Sequence, residues 1–412
     1  MNIECIKNVS RMYNKNLILI IIAQIFGFTA APVTIFLSGI IGSTLTPIES
    51  LSTLPTAMMV VGLASSTMIA SKIMSIIGRQ KGFIIAAIYT SFSALLAALS
   101  IYIGEFSLYC LACFAIGNGL AFTHQYRFAA AESVKKEMIP RAISVIMLAG
   151  IGSALLGPNI AIYAQDLIPE HTFVGSYIAL SFLTSIPILV LLFYRQDSPG
   201  QVIVEKNVVI VRTYSELLRS HRFSQAIVSA AMSYAIMSFL MTATPLSMHH
   251  HQGFSLDSTK FVIQAHIIAM FLPSLFTGRL IKKYGHSRII YTGILFFFLT
   301  ICLSYYENTY FNYLIALILL GIGWNFLFIT STSLLVISYK AEEKFKAQGF
   351  NEILVFSMQA VASLSAGFML TLAGWEIMNI ICIPLGLLVI FMTFRADLYD
   401  KKKIHQPNIR RV

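Results

Sequence analysis

Residues 17–41 read LILIIIAQIFGFTAAPVTIFLSGII, an uncharged run of about 25 residues that decides how the rest of the chain is read. A helix needs about 20 mainly apolar residues to cross the roughly 30 Å hydrocarbon layer of a bilayer, so this run is long enough to span. It follows Lys7, Arg11 and Lys15, as the apolar part of a signal peptide would. It is too long for that role and has no convincing small-residue cleavage site, so it is read as a retained first helix. Working outward, five further runs of this kind lie at 51–77, 82–103, 106–133, 139–164 and 172–194. Six more lie at 223–248, 259–281, 289–306, 310–338, 347–373 and 377–394, and no strand-period pattern competes with them.

Composition and charge agree with twelve crossings. Of 412 residues, 57% are hydrophobic and 11% charged, too few charges to coat water-soluble domains. The net charge of +11 would suit nucleic acid if it were gathered on one patch, but it is scattered between the apolar runs. With the N-terminus placed in the cytoplasm, all but two of the 29 basic residues fall in cytoplasmic segments. The exceptions are Lys260 at the outer face and Arg127 within a span. An odd number of crossings would destroy that asymmetry, so both termini are expected on the cytoplasmic side. The expected organisation is a first six-helix bundle over 1–194, a charged linker over 195–222, a second bundle over 223–394 and a basic tail over 395–412. The five cysteines make no disulfide framework, and Cys110-x-x-Cys113 lacks the further ligands of a zinc site, which leaves helix packing.

Several features recur about half a chain length apart. Ser71 to Gly78-Arg79 after the second run corresponds to Gly278 to Gly285-His286 after the eighth. Gly117-Asn118-Gly119 corresponds to Gly321-Ile322-Gly323, Arg141 to Lys346, and Gln24 to Pro32 more loosely to Tyr234 to Pro245. The chain therefore reads as a duplicated six-helix unit. These residues resemble the major facilitator superfamily over essentially the whole chain. The family's glycine-acid-base loop is degenerate in the first half, where Ser71, Ser75 and Ile76 replace three of its residues. In the second half Gly278, Lys283 and Gly285 match, with Lys282 where an acid is expected. Gly150 and Gly157-Pro158 resemble part of the antiporter motif without its trailing glycines, so antiport is not supported. The phrases around Tyr126 to Glu132, Met241 to Leu246, Val262 to His266 and Ala347 to Glu352 look like a group of bacterial permeases of mostly unassigned substrate. The resemblance implies an all-α membrane protein of twelve transmembrane helices in two pseudo-symmetric six-helix bundles, with a transport role.

Ionisable groups inside a bilayer cost several kcal/mol unless paired or hydrated, which makes them candidate site residues. Arg127 lies about 12 Å inside Lys135 at 1.5 Å per residue, and helical spacing groups it with Leu120, Thr123 and His124. It is read either as the group that holds an anionic substrate or gates a proton, or as an arginine tying helices together. Glu352 is the first choice for a proton-coupling carboxylate, on a polar face with Gln348, Gln359 and Ser363. His266 and Glu132 are the other coupling candidates, with a packing histidine and a polar seam as the alternatives. Gln24, Trp324 and Asn325 join Arg127, Thr123, His124 and Gln359 as expected substrate contacts, because the resemblance puts their helices beside the path. Pro32, Pro158, Pro245 and Pro273 are read as kinks. Consecutive His249, His250 and His251 rarely converge on one ion without other ligands, so no metal is expected.

The expected function is a secondary transporter working by alternating access, a proton-coupled importer of a small organic solute across the bacterial inner membrane. Import of a ferric siderophore or another iron chelate and efflux of drugs or metabolites are the transport alternatives. No phosphate-binding loop points to direct ATP drive. A lipid-modifying membrane enzyme is the alternative from another class, and no catalytic motif supports it, so the chain is not read as an enzyme. No cofactor and no nucleic-acid partner is expected; the partners are the solute, the proton and membrane lipids, with the protein acting as a monomer.

Overall fold

The computed structural model describes residues 14–134, 139–195 and 212–405, and these are helical apart from turns and short connections. Most of the expected linker, Cys5, Lys135, Lys136, Arg410 and Arg411 lie outside the described residues. Among the described residues, ten helices are long and apolar enough to cross a membrane. An eleventh crossing is the pair α11 (Leu256–Phe271) and α12 (Ser274–Tyr284), bent by 43° at Leu272 and Pro273. The twelfth is hidden in α15, Lys344–His405, which breaks at Gly374 with φ 76° and so holds two crossings. The fold is the all-α arrangement of twelve helices in two related six-helix bundles. α15 runs on to His405, so the first residues of the expected basic tail are helical.

The sequence repeat has a backbone counterpart. α3 (Leu54–Ile77) ends on Gly78 at φ 83°, ψ 158°, and α12 ends on Gly285 at φ 84°, ψ 161°. Both glycines are in the positive-φ region that a side chain disfavours, and each lets the next helix start at once, α4 (Arg79–Ile103) or α13 (His286–Tyr306). The first residue of each new helix then reaches the last turns of the span that follows. Arg79 pairs with Glu132 at 2.6 Å, and His286 Nε2 lies 3.1 Å from Ser333 Oγ.

The paired glycines repeat in the same way. On α5 (Phe106–Thr123), Gly117 abuts the Met59 carbonyl of α3 and Gly119 abuts Thr90 of α4. On α14 (Tyr310–Val336), Gly321 meets the His266 carbonyl of α11 and Gly323 meets Phe297 of α13. A methyl group at Gly321 would sit 2.6 Å from the His266 oxygen. Small residues here allow the backbone approach that drives helix association where lipid offers no hydrophobic gain.

Breaks in the spans expose carbonyls, and neighbouring helices supply the donors. The first span splits into α1 (Lys15–Gly27) and α2 (Ala30–Leu45), with Pro32 just inside α2. Ser153 Oγ of α7 (Ile139–Tyr163) donates to the Ile25 carbonyl at 2.8 Å. Pro158 has no N–H for the Ala154 carbonyl, and Gln264 Nε2 of α11 donates to that oxygen at 3.1 Å from the other half. Pro245 ends α10 (His221–Leu246) in a single π-turn, Ser247–His251. Asn325, expected among the substrate contacts, serves the bend at Pro273 instead. It is fully buried, donates to the Met270 carbonyl and Ser274 Oγ, both at 2.7 Å, and accepts from Thr277 Oγ1. Cys110 and Cys113 are unbridged and buried in helix packing.

Candidate functional site: a central aromatic cavity

The two halves meet unequally at their ends. At the end away from the basic loops they are in close contact: Gly39 of α2 faces Leu246 of α10, whose Cβ would lie 3.7 Å from a methyl group added at the glycine, and Gly367 of α15 packs against Thr53 and the Ser50 carbonyl. Towards the basic end, Arg127 of α6 (Tyr126–Glu132) meets Glu352 of α15 across the halves at 3.4 Å. Both side chains of that pair are about a quarter to a third exposed, at 26% and 30%. Between these two levels lies a cavity whose empty space, mouth included, is about 1230 Å³.

Six of the seven expected substrate contacts, Gln24, Thr123, His124, Arg127, Trp324 and Gln359, line this cavity, and so does His266. Leu120, Thr123, His124 and Arg127 share its wall although the helix is interrupted between α5 and α6. Glu352 reaches the site through Arg127. Glu132 is elsewhere: both its oxygens accept from Arg79, at 2.7 and 2.6 Å, and its side chain is half exposed at the basic end. The polar face of α15 is inward but divided among partners, with Gln348 donating to the Tyr339 hydroxyl and Ser363 bonded to Thr242.

Seven aromatic rings in the cavity wall form a closed circuit of contacts. Phe28 of the first span touches His124 edge-on at 5.7 Å, and His124 touches Phe356 at 6.1 Å. Phe356 contacts Tyr234 at 6.1 Å, and Tyr234 contacts Phe328 and Trp324 at 5.0 and 5.2 Å. Phe328 and Trp324 stack at 5.0 Å, and Phe271 closes the circuit from Trp324 back to Phe28 at 6.3 and 6.5 Å. All seven line the cavity, and they come from both halves. Sequence reasoning picked out His124 and Trp324 and missed the other five. Each alone is indistinguishable from an aromatic used for packing, and only their convergence marks a site.

Polar groups in this wall are left without partners. The buried Arg127 Nε, Trp324 Nε1, His266 Nε2 and Gln359 Oε1 have none among the described residues. His266 Nδ1 lies 2.7 Å from the Leu317 carbonyl, which only accepts, so Nδ1 carries the proton and Nε2 of the neutral ring is an acceptor. The wall therefore offers two donors, Arg127 and Trp324, and two acceptors, His266 and Gln359. Buried polar groups are nearly always satisfied, so a set of four around one cavity marks the positions a ligand or water would fill.

Fold, duplication and a central cavity between two bundles define a transporter, and the chain belongs to the major facilitator superfamily. The profile of the Major Facilitator Superfamily matches residues 226–411. The chain is 35% identical over 380 residues to the riboflavin transporter RfnT of Brucella anthropi, covering 91% of this chain and 94% of that one. It is 26% identical to the uncharacterized MFS-type transporter YddS of Bacillus subtilis, covering 92% and 90%. Among solved structures, a mutant of the nucleoside transporter NupG superposes with a TM-score of 0.68 at 12% identity, covering 92% of this chain and 99% of that one, a likeness of fold. The protein is thus a multi-pass membrane transporter of this superfamily.

Proposed function

We propose that this transporter imports a flat, uncharged heteroaromatic solute of the flavin type, riboflavin being the first candidate. The observation that carries the reading is the seven-ring circuit with its four unpartnered polar atoms. Aromatic faces bind a planar ring system, in pairs worth about 0.5–1.5 kcal/mol each beyond area burial. A ring edge that carries both carbonyl and N–H groups, as an isoalloxazine does, answers mixed donors and acceptors such as Arg127, Trp324, His266 and Gln359. The name of the 35% identical relative supports the same substrate class.

The proposed cycle rocks a first bundle over 1–194 against a second over 223–394, joined by the linker over 195–222, with the basic loops, both termini and the tail over 395–412 in the cytoplasm. The described form is closed at its outer end, and Arg127 and Glu352 pair across the halves towards its inner side. Protonating Glu352 would remove the charge that attracts Arg127, freeing the guanidinium for the solute and the bundles for separation. Glu352 is the proposed coupling group, with His266 as a second site in the same wall. Glu132 is not part of this scheme, since Arg79 engages it away from the cavity.

The test is uptake of labelled riboflavin into proteoliposomes, with and without an imposed proton gradient, against nucleosides, an iron chelate and an amphipathic drug as competitors. Riboflavin uptake stimulated by an inward proton gradient is expected. Binding of an iron chelate or a drug in preference to riboflavin would overturn the substrate class, and gradient-insensitive uptake would remove Glu352 from its role.

A further inference from the structure

We propose that Glu49, His250 and His251 form a zinc site that staples the two halves together at the outer end. The histidine run looks unsuited to metal while it stands alone, since consecutive residues project in different directions. The structure changes this in two ways. The π-turn over Ser247–His251 draws His249 inward, where its Nδ1 lies 2.7 Å from the Phe254 carbonyl, and leaves His250 and His251 exposed with ring centroids 5.6 Å apart. The missing third ligand comes from the other half of the molecule. Glu49 opens the short turn Glu49–Leu51 between α2 and α3, and its Oε1 is 3.0 Å from His251 Nε2.

The donor atoms of Glu49, His250 and His251 all lie within 4.8 Å of one another. A tetrahedral zinc ion with bonds of about 2.0–2.2 Å holds its ligand atoms roughly 3.3–3.5 Å apart, so modest side-chain rotation completes the set. Two imidazoles and one carboxylate leave the fourth position for water, and all three residues are exposed where an ion can reach them.

The consequence follows from where the ligands originate. Glu49 belongs to the first half and the histidines to the second, and the contact of Gly367 with Thr53 closes the same end. Alternating access requires these surfaces to part, so the complete ligand set exists only while the outer end is shut. An ion that binds one state of an equilibrium draws the protein into that state. Zinc would therefore stabilise this form and slow every cycle that must open outward, whatever the solute.

The experiment uses full-length protein purified through a tag without histidine and stripped of metal, with zinc chloride as the probe. Zinc affinity is read by competition with a chromophoric chelator, and the thermal midpoint is followed with and without zinc. One ion per chain and a raised midpoint are expected, retained in His249→Ala. Both effects should be lost in the His250→Ala/His251→Ala double variant. Affinity in Glu49→Ala should fall at least as much as on losing a residue that merely orients a ligand, roughly 10- to 100-fold. Zinc binding undiminished in Glu49→Ala, or no stabilisation of the parent protein, would overturn the bridging site. Neither readout depends on which solute is carried.

Discussion

The ion pair between Arg127 and Glu352 invites a double-mutant cycle with Arg127→Gln, Glu352→Gln and the pair of changes together. At 3.4 Å the full Coulomb term would be about 5 kcal/mol at an effective dielectric constant of 20. Both side chains see solvent, the contact is a single Nη2 to Oε2 approach and no second hydrogen bond is shared, so screening cuts the net coupling to about 1–2 kcal/mol. Each single change also strands the other charge, and Arg127 already has an unpartnered Nε. The singles should each destabilise by about 1–3 kcal/mol, while the double variant recovers part of that loss because neither charge is left alone. The assay is the unfolding midpoint in one detergent at a fixed scan rate, and the expected signature is a double variant more stable than the summed singles imply. Effects that add within about 0.3–0.5 kcal/mol would show that the two groups do not interact, and would refute the inner-side contact.

Three other outcomes follow from the geometry. Gly117→Ala and Gly321→Ala each push a methyl group into a backbone carbonyl, of Met59 and His266, and should cost about 1–3 kcal/mol or more and lower the yield of monodisperse protein on gel filtration, whereas Gly349→Ala, in open space, should not. Glu343, buried between α14 and α15 and bonded to Arg212 at 2.6 Å through each oxygen, has its carboxyl pulled down from an ordinary value near 4.5 to about 2. A carboxylate depressed on folding stabilises fully above the unfolded value, so this contribution should fade as pH falls from about 4.5 towards 2, and Glu343→Gln should flatten that acid limb in midpoint-against-pH curves. Trp324→Ala removes a stacked face and an N–H donor together and should weaken riboflavin binding by about 1–3 kcal/mol in flavin-fluorescence titrations, with the protein still monodisperse.

The spans were readable because bilayer thickness imposes a length on every crossing, and that constraint is local. The run at 17–41 and its eleven counterparts needed no tertiary information, and the turns at Gly78 and Gly285 repeat because the same loop chemistry occurs twice. The site was only half readable. Arg127 and Glu352 each stood out as an ionisable group in an apolar run, but their pairing spans 225 residues and depends on how the two bundles face each other. Asn325 was misplaced for a related reason: a polar side chain in a cavity-lining helix can serve a neighbour's broken backbone as well as a ligand, and the carbonyl of Met270 decides between them. Phe28, Tyr234, Phe271, Phe328 and Phe356 carried no signal of their own, because a phenyl or phenol ring in a span is ordinary packing until others converge on it. Glu49 was invisible to any pattern centred on the histidines it faces.

Whether the aromatic cavity binds a flavin is the most direct question to put to this protein. Quenching of riboflavin fluorescence by the purified protein measures this without assuming a direction of transport or a coupling ion. Saturable quenching is predicted, weakened in Trp324→Ala and in Tyr234→Ala and unaffected by an iron chelate. Absence of saturable quenching by well-folded protein, or quenching indifferent to both aromatic substitutions, would contradict it.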